Sequence, residues 1–243
     1  MSELAEEEQT PAAYESGHHA DVSGGWLRPA VFGAMDGLVT NIALIAGVGG
    51  GGVSTHNVIL TGFAGLVAGA VSMGLGEYTS VRTQNDQVAH EVAKERRELE
   101  RYPDVEADEL ADMWIARGLP EHLAREVAAE LSKNVDEALR VHAQEELGVN
   151  PHEQPSPWTA ALSSFLCFSA GALVPLLPYL LGATALWLSL AVGGVGLFGA
   201  GALTARFTNK KWYLSGLRQL SLGLAAAGAT FLIGKGIGVS GLG

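Results

Sequence analysis

Apolar positions fall in five long runs along this chain: Leu27 to Val48, Val58 to Val81, Trp158 to Leu181, Ala183 to Ala205 and Leu217 to Val239. Each run is long enough to cross the hydrocarbon core of a bilayer, which a helix spans with about 17 to 25 residues. Buried helices of a water-soluble protein would need far more polar surface to cover them than the sequence holds. Glycines interrupt every run, and in a membrane such positions let neighbouring helices approach closely. Gly33 with Gly37, and Gly65 with Gly69, make two small-xxx-small faces of this kind.

Between the second and third runs the pattern turns polar but stays helical. "RTQNDQVAHEVAKERRELERYPD" stops at Pro103, "VEADELADMWIARG" closes at Gly118, and "LPEHLAREVAAELSKNVDEALRVHAQEELG" opens with Pro120 and ends at Gly148. "VNPHEQPSP" then reads as an extended linker back to the membrane. The expected organisation is a disordered cytoplasmic tail over 1–25, transmembrane helices 1 and 2 over 26–81, a cytoplasmic helical domain over 82–157, and transmembrane helices 3 to 5 over 158–243.

Charge sets the expected orientation, because basic residues beside membrane spans stay on the cytoplasmic side. Arg28 precedes the first span, Arg82 follows the second, and Arg206, Lys210, Lys211 and Arg218 crowd the link between the fourth and fifth. The links "GGGGVSTHN" and "LGAT" carry no Lys or Arg. The N-terminus and the 82–157 domain are therefore expected in the cytoplasm and the C-terminus outside, with Lys235 the one basic residue there. The N-terminal segment is acidic and polar, unlike a cleavable signal, and His18 and His19 read as a solvated pair in a flexible tail. The net charge of -11 comes largely from this tail and the polar domain, which argues against nucleic acid as a partner. Cys167, the single cysteine, excludes an intramolecular disulfide and reads as packing.

Carboxylates cluster within the polar domain. Glu95 and Glu98 share a helical face at i, i+3, and Glu106 and Glu109 repeat that spacing just after the turn at "RYPD". An antiparallel hairpin would bring all four to one end, where their repulsion favours a cation between them, and an oxygen-rich cluster suits ions such as Mn²⁺ and Fe²⁺. The other reading is a solvated face neighboured by Lys94, Arg96, Arg97 and Arg101. His142 and Glu146 form a further i, i+4 pair, and a straight third helix would overshoot the hairpin by about 15 Å. A break near Ser132 to Asn134 would be needed to fold that pair back.

Two acids lie within spans. Asp36, in "GAMDGLVTN", costs about 2.5 to 3.5 kcal/mol to insert at a span centre, so such a residue is normally kept for a pathway, a proton relay or a partner. No basic residue in another span lies at its depth, which disfavours a structural ion pair. Glu77 follows Met73 by one turn in "SMGLGEYTS", placing thioether and carboxylate on one face of the second span. That mixture suits an ion of intermediate softness, although Met73 alone would read as packing.

"FGAMDGLVTN", "AGAVSMGLGEYTSVRTQ", a Glu-rich three-helix insert and three closing spans together resemble the vacuolar iron transporter family, which includes bacterial members. The resemblance implies an all-α membrane protein: five transmembrane helices with a three-helix cytoplasmic metal-binding insert between the second and third spans. It implies a homodimer in the cell (inner) membrane that exports Fe²⁺ or Mn²⁺ from the cytosol in exchange for protons, with no prosthetic group and no enzymatic activity. Zn²⁺ and Co²⁺ stay open as further cargo. It places Asp36 and Met73 on the transport path, with Glu77 as an added ligand, and assigns Glu95, Glu98, Glu106, Glu109, His142 and Glu146 to metal. His142 stands where a plant member has methionine. The plant-type glutamate and methionine earlier in the second span fall on Gly65 and Gly69, which leaves the path poorer in ligands. Two rival readings are a ferroxidase-like iron-binding protein, which would want Glu-x-x-His pairs on two helices, and a membrane-anchored metal sensor without transport, for which Asp36 has no use.

Overall fold

The computed structural model describes residues 25–151, 153–208 and 210–239, so His18 and His19 lie outside the described residues. The chain is an all-α membrane protein: among the described residues there is no strand, and five helices are long and apolar enough to cross a membrane. The helices are α1 (Leu27–Gly50), α2 (Thr55–Arg101), α3 (Pro103–Ala116), α4 (Glu121–Leu131), α5 (Val135–Glu145), α6 (Pro157–Leu173), α7 (Leu177–Leu180), α8 (Leu186–Thr208) and α9 (Trp212–Val239).

Helix α2 carries the second span and the first helix of the polar domain without interruption. No glycine or proline lies between Gly76 and Arg101, so nothing breaks the backbone ladder where the chain leaves the membrane. Its 47 residues reach about 70 Å at 1.5 Å per residue, more than twice the hydrocarbon thickness. Ser54 caps its start by accepting from the Asn57 amide at 3.4 Å, and Pro103 ends it by opening α3.

Parallel packing of α1 against α6 organises the spans. A Cβ on Gly33 would lie 2.6 Å from the Ser164 carbonyl oxygen, one on Gly37 would strike the Phe168 carbonyl, and Asn41 donates from Nδ2 to the Ala172 carbonyl. These pairs advance together by four residues, so the Gly33 and Gly37 face is used to seat α1 on α6. Helix α9 runs parallel to α1 on another side, with Thr230 donating to the Ala43 carbonyl at 2.6 Å and Gly234 and Gly238 against Gly47 and Gly51. The second glycine face differs. Gly65 is covered by the Leu44 side chain and Gly69 by the Phe168 ring, so side chains rather than a helix backbone fill those notches.

The third helix expected in the polar domain is two helices, α4 and α5. Ser132 Oγ turns back to the Ala128 carbonyl at 2.8 Å, and Asn134 caps α5 by accepting from the Asp136 amide at 3.0 Å. Leu99, Ala138 and Leu139 dock α5 onto the end of α2, while Leu110, Ala111, Ala124 and Ala128 join α3 to α4. The break therefore returns the C-terminal end of α5 to the α2–α3 corner.

Candidate metal centre

Glu95 on α2, Glu106 on α3, and His142 with Glu146 at the end of α5 meet in that corner, each offering one ligand atom within 4.8 Å of the others. His142 is fully buried. Its Nδ1 lies 2.9 Å from Glu146 Oε1, 3.1 Å from Glu95 Oε1 and 3.9 Å from Glu106 Oε2. One ring nitrogen can give one proton to one of these acids. Glu95 Oε1 and His142 Nε2 are left without hydrogen-bond partners.

Electrostatics mark the same strain. Burial, reinforced by Glu146, pushes the Glu95 carboxyl up from 4.5 to about 7 against the opposing pull of His142. Burial and Glu109 raise Glu106 in the same direction. Three acids around one imidazole, with Glu95 Oε1 unpartnered, form a site that a divalent cation would satisfy by neutralising the repulsion and taking the lone pairs of Glu95 Oε1 and His142 Nδ1.

The hairpin does not bring all four sequence-picked glutamates equally close. Glu98 is half-buried and lies 3.9 Å from Lys94, and Glu109 is exposed. A three-residue step turns a side chain about 60° round the helix. Glu98 and Glu109 accordingly stand at the rim, near enough for Glu98 to raise both buried acids and Glu109 to raise Glu106.

Within the spans, Asp36 is half-buried and accepts from Thr40 Oγ1 at 3.2 Å. Among the described residues no ion pair reaches it. Arg28 stands opposite Glu77, and Leu44 and Asn41 stand opposite Gly65. Helices α1 and α2 are thus antiparallel, and Asp36 comes level with residues 69–73 of α2. Met73 packs beside Ala70, Phe168 and Ala172. Glu77 is buried, with Arg28 Nη1 at 3.9 Å. That partner was readable in principle, since Arg28 and Glu77 both belong to the polar-domain ends of their spans. Glu95 lies 18 residues beyond Glu77 on α2, about 27 Å along the helix, so the cluster and Glu77 are well separated.

Comparison with known proteins accords with this architecture. Residues 27–235 match the VIT family. The chain is 33% identical over 235 residues to vacuolar iron transporter 1 of Oryza sativa subsp. japonica, covering 93% of this chain and 92% of that one. It is 32% identical over 242 residues to the vacuolar iron transporter of Centaurea cyanus, covering 97% of each. It is 39% identical over 155 residues to that of Acanthamoeba castellanii, covering 64% of this chain and 56% of the relative. With the matched region running from the first span into the last, this chain belongs to the VIT family.

Proposed function

We propose that this protein is a transporter that moves Fe²⁺ or Mn²⁺ out of the cytosol across the cell membrane, in exchange for protons and as a homodimer. The observation that carries the reading is Asp36, a membrane carboxylate without a cationic partner among the described residues, level with the 69–73 stretch of α2 that ends at Met73. The names of the relatives, vacuolar iron transporters, support iron as cargo. Zn²⁺ and Co²⁺ are further ions to test.

The buried cluster of Glu95, Glu106, His142 and Glu146, with Glu98 and Glu109 at its mouth, captures the ion from the cytosol. Because it stands about 27 Å from Glu77 along α2, its role is to concentrate metal near the entrance rather than to hand it across by contact. Glu77 receives the ion at the cytoplasmic end of the span, where Arg28 is mostly exposed and free to swing aside. Met73 and Asp36 hold it deeper. A carboxylate that releases the metal takes a proton in its place, which couples the two fluxes.

The orientation rests on Arg28, Arg82, Arg206, Lys210, Lys211 and Arg218, which all fall on the polar-domain side of the spans. The homodimer is what the family resemblance implies, and Phe32 of α1 with Phe63, Val67, Val71 and Leu75 of α2 leaves an apolar face that a second copy or lipid can cover. The test is Fe²⁺ and Mn²⁺ entry into proteoliposomes under an imposed pH gradient and under its reverse. Flux that follows the gradient in sign supports proton exchange, and flux indifferent to it removes the coupling.

A further inference from the structure

Asn41 is a buried polar side chain that this path does not yet use. It is 1% exposed and lies five residues beyond Asp36 on α1, about 7 Å further toward the outside. Its Nδ2 donates to the Ala172 carbonyl, just before α6 tightens into the 3₁₀ turn at Val174–Leu176. Because a carbonyl only accepts, that bond fixes which end of the amide is which. Oδ1 is left without a partner. A purely structural role for Asn41, stitching α1 to α6, accounts for Nδ2 and leaves Oδ1 unexplained, and a buried acceptor left unmet is destabilising.

Oδ1 faces Gly65, where a Cβ would lie 3.6 Å away. Gly65, Gly69 and Met73 follow one another at four-residue spacing on α2, so the orphaned oxygen stands over the outward end of the face that carries Met73. Ser164 is the other orphan within the spans, and it lies on the cytoplasmic side, level with Gly33. Among the described residues, Asn41 Oδ1 is the one buried side-chain atom without a partner in the outward half of the spans.

The geometry points to Asn41 as the exit-side ligand of the path, its amide oxygen taking the divalent cation after Asp36 across the gap left by Gly65. This rests on the transport reading above. An amide oxygen is a hard but neutral donor, so it binds a divalent ion more weakly than the carboxylate behind it. That descending order favours release, since conduction needs sites strong enough to enter and weak enough to leave. The Leu44 side chain lies over the same gap and has to rotate for the ion to pass.

The experiment compares Asn41→Asp and Asn41→Leu with the parent in proteoliposomes, measuring initial rates of Fe²⁺ and Mn²⁺ entry over a range of concentrations. Folding is checked by gel filtration and thermal melting in detergent. A carboxylate and an isobutyl group both lose the bond to Ala172, so a merely structural Asn41 shifts KM the same way in both variants. An exit ligand shifts it in opposite ways. Asn41→Asp lowers KM and slows the maximal rate, and Asn41→Leu raises KM, each on the order of tenfold, the size of one interaction with a charged group. Should Asn41→Leu fail to fold, the Asp variant decides alone: a lower KM with a slower maximal rate supports the assignment, and an unchanged or higher KM overturns it. A parent without flux overturns the transport reading and this inference with it, whereas an active parent whose KM moves the same way in both variants overturns only the role of Asn41.

Discussion

Glu95→Gln makes the buried cluster measurable without any transport assay. The Glu95 carboxyl is raised from 4.5 to about 7 in the fold, so over that interval the closed domain holds a proton that the opened chain would release. Opening is therefore favoured as pH rises, with stability fullest below 4.5 and lost through about 7. At about 1.4 kcal/mol per unit, the loss between pH 5 and pH 8 is about 2 to 3 kcal/mol, and Glu106 adds to it in the same direction. The assay is hydrogen exchange of the α5 amides in metal-free, detergent-solubilised protein, corrected for the intrinsic pH dependence of exchange, which reads the local opening free energy. The parent should lose protection of α5 from pH 5 to pH 8, and Glu95→Gln should lose markedly less. Mn²⁺ at pH 8 should restore the parent more than the variant. An α5 that grows more protected with pH, or a variant with the parent's slope, would refute the electrostatic account of the corner.

Other consequences can be checked separately. His142→Ala should weaken Mn²⁺ binding about 10- to 100-fold by calorimetry, since it removes the nitrogen on which Glu95, Glu106 and Glu146 converge. Glu109→Ala, an exposed rim position, should weaken it by less than His142→Ala in the same titration. Gly37→Ala should cost about 1–3 kcal/mol, seen as a lower melting temperature in detergent, because the added methyl meets the Phe168 backbone carbonyl, which cannot yield as a flexible side chain would. Arg28→Ala should change stability by less than about 1 kcal/mol, because the ion pair with Glu77 is long and Arg28 is mostly exposed.

The spans were legible because a bilayer imposes both length and apolarity on any helix that crosses it, and the five runs read from sequence fall on α1, α2, α6, α8 and α9. The return of His142 and Glu146 was legible only as a condition. The sequence showed that a break near Asn134 was required, and the Asn134 cap supplies it. Spacing was less informative about direction. Glu95 and Glu98 share a face on paper, yet the 60° between them sends one into the corner and the other to its rim. Likewise a glycine pair announces a notch without saying what fills it. Gly33 and Gly37 received a helix backbone, Gly65 and Gly69 received Leu44 and Phe168. Asn41 carries no signal of its own in "DGLVTN", because nothing in a single sequence tells a paired amide from one with an unmet oxygen. That distinction required the Ala172 carbonyl, 131 positions away along the chain.

The central claim is that metal crosses the membrane by way of Asp36. The measurement that bears on it most directly is the initial rate of Fe²⁺ entry into proteoliposomes for Asp36→Ala beside the parent, with Mn²⁺ binding to both proteins measured in parallel. Loss of nearly all flux in the variant, with binding at the Glu95, Glu106, His142 and Glu146 cluster unchanged, is the predicted result. Transport by Asp36→Ala at the parent's rate would contradict the account.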